Sequence, residues 1–401
     1  MSNRVLSDWL TGYMKYTEWT EPPESYHTWA GISVIAGSLQ RRCYLKRHPE
    51  IIYPNMYVVL VGPTGRCRKG TAMRLAKEMI KDAGIPLVAE SITREQLIRR
   101  MRNAVNNFTD ASTGAIKFHC SLYCISPELA VFLGEEDIRF MADLTDWYDC
   151  ADDWRYETKT QGFDHIQGVC FNLFGATAPE WFTTMMPKAA IGGGFTARII
   201  FIVEFEKRRT APDVVETPEL TKLKAALVDD LAKIANLSGE FTFSTEAHAF
   251  YKEWYVKTDE LTLGGHPPIS EPRLSGYCER RATHLRKLCM ISSASRGDTR
   301  EIVLGDIQRG LSILEATEIN MPRAFSRIGS SQYVQATEMV LDFVILRKKT
   351  KRSDLLRVLY RDVDSPTLDV VERILESMKV VRITRLVGKE SEVIYEYIGP
   401  N

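Results

Sequence analysis

The sequence predicts an α/β protein: a P-loop core preceded by a helical N-terminal segment and followed by a helical lid and a C-terminal winged-helix module. Three observations carry this. Met56–Gly84 reads as strand, glycine loop and helix. The further apolar runs Leu122–Ile125, Gly168–Thr177 and Ile199–Val203 have the length and composition of buried strands. Residues 330–401 give three helical patterns followed by two strands.

Bulk properties bound the rest. A chain of 401 residues exceeds the size at which one core stops growing, so it divides into pieces, read as 1–55, 56–210, 211–329 and 330–401. Apolar content of 44% and charged content of 26% are those of a globular protein. No apolar run approaches the roughly 20 residues that span a bilayer, and MSNRVLSDWL has no signal-peptide core, so a cytoplasmic protein without membrane contact is expected. The formal net charge of zero excludes a global basic field, so any nucleic-acid binding must come from local patches. Eight cysteines without a CxxC pair read as reduced thiols rather than a zinc site.

In the first 55 residues, Val5, Leu6, Trp9, Leu10 and Met14 mark one helical face, and Tyr26–Leu39 a second after the break at Pro22-Pro23. Arg41–Pro54 reads as a β ribbon. Met56–Val61 then runs into Gly62-Pro63-Thr64-Gly65-Arg66-Cys67-Arg68-Lys69-Gly70-Thr71, and Met73, Ala76, Met79, Ile80 and Ala83 repeat at helical spacing. A loop between a buried strand and a helix N-terminus aims backbone N–H groups at one point, where the helix dipole also favours negative charge. Gly62, Gly65, Arg68 and Gly70 shape such a phosphate nest, Lys69 reaches the β- and γ-phosphates of ATP, and the Thr71 hydroxyl carries Mg²⁺. The loop is one residue longer than G-x-x-x-x-G-K-[ST], and its Lys-Gly-Thr ending is also that of some nucleoside-monophosphate kinases. An ordinary basic strand-to-helix turn is the structural alternative.

Ile85–Glu90 reads as a strand, Thr93–Asn106 as a helix capped by Thr93 with Gln96, and Phe108–Ile116 as a polar loop or hairpin. Leu122–Ile125 ends at Ser126-Pro127-Glu128, where Glu128 fits the carboxylate that polarises an attacking water; it equally fits a helix-opening acid. A helix over Asp137–Cys150 precedes two strands, Trp154–Lys159 and Asp164–Cys170, whose Arg155 and Lys159 alternate with aromatic rings as single-stranded DNA binding requires, and as sheet edges also do. Gly168–Thr177 offers Asn172 or Thr177 to sense a γ-phosphate; Asn172 fits a satisfied edge residue equally. Three glycines precede Arg198, a cation suited either to a neighbour's γ-phosphate or to a local carboxylate. Helices follow over Thr217–Asn236, Thr245–Leu263, Arg273–Ser295 and Ile302–Ala316, with a strand at Gly239–Ser244. In the winged-helix pattern the third helix carries Asp369, Glu372 and Glu376, which disfavours groove reading; Lys348, Lys349, Lys351, Arg352, Arg382, Arg385 and Lys389 are the expected DNA contacts, and a protein-docking role fits equally.

The stretches EPPESYHTWAGISVIAGSLQRR, YPNMYVVLVGPTGRCRKGTA, CISPELAVFLG, NLFGATAPEW and GGGFTARIIFIVE, in that order, resemble phage and prophage P-loop ATPases related to primase-helicase proteins, over Pro22–Ala316. The helix RRATHLRKLCMI and the terminal module are similar, more loosely, to AAA+ helicases of the minichromosome-maintenance kind. The resemblance implies an AAA+-like core with Lys69 and Thr71 as Walker A, Glu128 as Walker B glutamate, Asn172 as sensor 1, Arg198 as arginine finger and Arg281 as sensor 2. It also implies a ring, a hexamer, with single-stranded DNA in its channel, working in phage or mobile-element replication beside a separate primase. Against this ATP-driven helicase stands a weakly hydrolysing, ATP-dependent DNA-binding loader or scaffold, which the irregular Walker motifs favour.

Overall fold

The structure is a computed structural model, described here for all residues except 1–3, 135–136, 159–161, 182–192, 214–216, 326–331, 361, 387–391 and 400–401. The chain is mixed α/β and separates into two compact units, 1–325 and 326–401.

In the first unit the elements run α1 (Trp9–Thr17), α2 (Glu24–Leu39), β1 (Cys43–Arg47), β2 (Glu50–Ile52), β3 (Tyr57–Val61), α3 (Lys69–Asp82), α4 (Arg94–Asn103), β4 (Val105–Thr109), β5 (Ile116–Ser126), α5 (Leu129–Leu133), α6 (Ile138–Tyr148), β6 (Asp153–Thr158), β7 (Gly162–Gln167), β8 (Val169–Thr177) and β9 (Ile199–Val203). After these come α7 (Pro218–Ala235), β10 (Gly239–Phe243), α8 (Thr245–Leu263), α9 (Ser275–Arg296), β11 (Glu301–Ile302) and α10 (Leu304–Glu318).

The central sheet has the order β4-β5-β8-β3-β9. Its strands β5, β8, β3 and β9 are mutually parallel, and only the edge strand β4 is antiparallel. Every residue of β3, β8 and β9 is buried, the continuous burial of a sheet covered on both faces. On one face Tyr123 of β5 bonds Ser33 of α2 at 2.7 Å, and the helix comes so close that a Cβ at Gly37 would lie 2.6 Å from the Tyr123 ring. On the other face Phe171 meets Tyr57 of β3, Phe132 of α5 and Trp147 of α6. Burying aromatic surface of this size is the main source of cohesion between the layers.

A second sheet, β11-β10-β1-β2, joins the N-terminal segment to the later helices. Cys43 of β1 pairs in parallel register with Gly239 of β10, so the divisions read at residues 55 and 210 fall within one compact unit. The N-terminus is tied in as well: the buried Asp230 carboxylate accepts the Val5 and Leu6 N–H groups at 2.9 and 2.7 Å.

Several local expectations change. Ile85–Glu90 is no strand; Leu87 makes one isolated bridge to Tyr123, because Pro86 interrupts the row of donors. The helix expected to Asn106 stops at Asn103, and β4 starts two residues later, drawn out by pairing with the first half of β5. No described helix is long and apolar enough to cross a membrane.

The second unit holds α11 (Gln332–Arg347), β12 (Lys349–Lys351), α12 (Arg352–Leu359), α13 (Ser365–Met378), β13 (Val381–Leu386) and β14 (Glu392–Tyr397). Val340, Val344, Leu355, Leu368, Val371, Leu375 and Tyr395 form its core. The basic loop expected at Arg347–Lys351 is partly strand: Thr350 pairs with Tyr395, giving a sheet of order β12-β14-β13.

Candidate functional site

Parallel register brings the C-terminal ends of the central strands to one edge. Val61 pairs with Thr177 and with Val203, and Ser126 pairs with Gly175. Residues just beyond these ends therefore meet: Gly62–Arg68 after β3, Glu128 after β5, and Thr177 with Glu180 at the end of β8. Gly62 N–H donates to the Thr177 carbonyl at 3.3 Å, fixing the start of the loop.

The loop is shaped by its sequence. Gly62 is required, since a Cβ there would fall 2.6 Å from both the Glu204 carbonyl and the Tyr26 hydroxyl. Gly65 has φ +74 and Arg68 φ 54, two left-handed turns that fold the extra residue before α3 begins at Lys69. A Cβ on Gly70 would meet only open space, so this glycine leaves room rather than relieving a clash. Cys67 is buried beneath the loop, its thiol donating to the Glu204 carbonyl at 3.2 Å, and burial pushes that thiol up from its ordinary pKa.

Lys69 turns back over the loop and donates to the Gly62 carbonyl. Burial pulls its pKa down, while the field of Cys67, then of Glu128 and Glu180, pushes it up. Both carboxylates thus act on the Lys69 ammonium, and Thr71 stands in the first turn of the same helix. Glu128 stands just before the first residue of α5, the place the helix-opening alternative gives it, but its carboxylate makes no capping hydrogen bond; its carbonyl accepts from Ser126 Oγ at 3.0 Å. Arg68 Nε donates to Glu21 Oε2 at 2.7 Å, and Lys207 binds the same carboxylate. The Lys207 and Arg68 hydrogen bonds hold Glu21 down to about 2.

The chain matches no protein-family model and no curated protein sequence.

The remaining expected residues lie elsewhere. Asn172 is a correction: it sits near the opposite end of β8, its backbone paired with Tyr123, and its Oδ1 accepts the Met56 N–H at 3.0 Å. It closes the β3 entry, and Thr177, at the strand's other end, stands beside the loop. Arg281 is also a correction. Its guanidinium makes a buried two-pronged pair with Glu318, at 2.6 and 2.9 Å, and stacks over Trp254. The cavity it lines contains no residue of the loop. Arg198 precedes β9, whose first residue pairs with Tyr57, so it too occupies the far edge. There its guanidinium binds Asp149 and donates to the Gly194 carbonyl at 2.7 Å.

In the β6–β7 hairpin, Arg155 is exposed and donates to Asp153 at 2.8 Å; Lys159 lies outside the described residues. Trp154 and Tyr156 stack on each other and bind the hairpin to the body through Trp147 and Arg94, which leaves Phe163 as its exposed ring.

In the second unit Arg352 is not a surface contact but a tie from α12 to α13, bonded to Glu372 and, at 2.6 Å, to Asp369. With Arg385 it neutralises the acidic side of α13 that argued against groove reading. Lys348, Lys349 and Arg382 are exposed; Lys348 lies 5.1 Å from the Tyr397 ring and Arg382 is 3.7 Å from Glu396.

Sequence reasoning missed Glu21, Asp149 and Glu180. Glu180 had a readable signal, its place just after the turn that ends β8; the other two act on partners 47 and 49 residues away that no local pattern connects.

Proposed function

We propose that residues 62–71 bind ATP and that the chain is an ATP-dependent DNA translocase or helicase of phage or mobile-element replication, with a P-loop core and a winged-helix second unit. The observation that carries the reading is the convergence of the Lys69 ammonium and the Glu128 carboxylate at one edge of a parallel sheet, after a glycine loop that opens a 14-residue helix with Thr71 in its first turn. A helix N-terminus at the carboxyl edge of such a sheet is where phosphate binds.

The residues fit the nucleotide. Lys69 already holds a carbonyl oxygen of the loop, a weaker partner than a phosphate, so triphosphate binding exchanges a neutral acceptor for a charged one. Among the described residues no three His, Cys, Asp or Glu side chains are grouped to hold a metal ion. A Mg²⁺ ion would be carried by the Thr71 hydroxyl and the nucleotide's own oxygens, where it would neutralise phosphate charge. Glu128, exposed beyond β5, would orient a water and accept its proton, and Thr177 would bond the terminal phosphate.

Arg198 gives the reading its oligomeric part. A five-residue strand separates it from its own loop, roughly 15 Å. It can serve a triphosphate only on a neighbouring copy, as the ring proposal requires. Exposed Arg155, Lys348, Lys349 and Arg382 supply local cations for DNA in a chain of zero net charge. Hydrolysis stimulated by single-stranded DNA, lost in Lys69→Ala, tests the function. Nucleotide-dependent DNA binding without strand displacement on a forked duplex selects the loader or scaffold instead, the reading that the overlong loop favours.

A further inference from the structure

A cavity of about 490 Å³ opens beside the glycine loop. It shares Thr71 and Glu21 with the site described above, and its other walls come from three separate elements. Tyr16 and Trp19 stand at the end of α1 and in the turn after it, Leu75 lies one helical turn beyond Thr71 on α3, and Leu220 is in the first turn of α7. Its size is that of a small-molecule pocket.

The charged groups at its rim are already paired. Arg74 binds Glu78 at 2.9 Å, Lys224 binds Asp82 at 3.2 Å, and Glu21 is held by Arg68 and Lys207. What the pocket offers a ligand is therefore mainly its rings and aliphatic walls. Trp19 is 53% exposed, an unusual cost for so large an apolar residue. The turn that presents it is fixed: Thr20 N–H donates to the Thr17 carbonyl at 3.1 Å, and the Thr20 hydroxyl bonds both Thr17 O at 2.7 Å and His27 Nε2 at 2.6 Å. An exposed indole on a fixed turn, beside a pocket that shares Thr71 with the glycine-loop helix, is a stacking platform.

We propose that this pocket takes the base of the bound nucleoside triphosphate, and that Trp19 selects purines by stacking. This rests on the ATP-binding reading. A ligand held by its phosphates from Lys69 to Thr71 extends its base into the space next to Thr71, and two fused rings cover more of the indole than one.

Calorimetric titration of ATP, CTP and inorganic tripolyphosphate into the full chain, its Trp19→Ala and Trp19→Phe variants and Lys69→Ala tests it. The expected result is tighter binding of ATP than of CTP, with ATP affinity weakened about tenfold in Trp19→Ala and largely restored in Trp19→Phe. Tripolyphosphate should bind all but Lys69→Ala alike. Unchanged ATP affinity in Trp19→Ala overturns the base pocket while leaving the ATP site standing. Equal weakening of ATP and tripolyphosphate in Trp19→Ala also overturns it, since the indole then only supports the fold. Failure of the native chain to bind either ligand removes the ATP reading and the pocket with it.

Discussion

Asp149 holds the guanidinium of Arg198 at the edge of the sheet opposite Lys69. Asp149 Oδ2 takes Arg198, and its Oδ1 accepts from Arg280 at 3.1 Å, so one carboxylate fixes two arginines. Arg198 is 7% exposed, so action on a neighbouring copy requires it to swing out of this pair.

That geometry predicts complementation. Arg198→Ala should cut turnover by about 10³-fold or more with nucleotide affinity little changed, the effect of losing an arginine finger. Mixing Lys69→Ala with Arg198→Ala should restore hydrolysis, at about one site in four for random neighbours in a ring. Steady-state ATPase assays on each variant and on equimolar mixtures measure this. A mixture no more active than its components would show that Arg198 does not act across an interface.

Asn172 and Thr177 should separate cleanly. Asn172→Ala leaves the buried Met56 N–H without its acceptor and should destabilise the first unit by about 1–3 kcal/mol in denaturant unfolding, with ATP affinity kept in the folded protein. Thr177→Val should leave stability nearly unchanged and lower kcat. A fall in kcat for Asn172→Ala at temperatures where it stays folded would return the sensing role to Asn172.

This division shows what the sequence could reveal. Gly62–Thr71 was legible because a run of strand residues gives way to helical spacing across a glycine loop, a purely local signal. Which residue of Gly168–Thr177 reaches the loop was not, because that depends on the pairing of Val61 with Thr177, a register between strands more than a hundred residues apart. Arg281 was misplaced for a similar reason: its partner Glu318 is 37 residues away, on the next helix. In the second unit the helices and hairpin follow from period and turn signals alone, whereas the reach of Arg352 to Glu372 appears only once α12 packs on α13.

Buried histidines predict acid lability. Burial pulls His27 and His284 down to about 3 and His119 to about 4. With folded pKa values below the unfolded value near 6.5, their contribution is complete above that pH and is lost as pH falls toward 4. By pH 5 each should cost about 2 kcal/mol. Urea unfolding of the first unit at pH 7.5 and pH 5.0 measures the sum, and His284→Gln should flatten the dependence. Equal midpoints at the two pH values would mean that these rings are protonated when folded.

Glu372 should be the weak point of the second unit. It is 5% exposed and binds Arg352, Arg385 at 3.0 Å and the Tyr395 hydroxyl. Glu372→Ala leaves the buried Tyr395 hydroxyl without its acceptor and removes one of the two carboxylates on Arg352, which keeps Asp369, and should destabilise this unit by about 1–3 kcal/mol. Thermal unfolding followed by calorimetry should show one transition lowered and the transition of the first unit unmoved.

The most direct measurement is ATP hydrolysis by the native chain and by Lys69→Ala, with and without single-stranded DNA. The proposed function requires hydrolysis that DNA stimulates and that Lys69→Ala lowers by at least about 100-fold, since this side chain is the charge set to hold the β- and γ-phosphates. Hydrolysis at the same rate in Lys69→Ala would mean that the loop is not an ATP site.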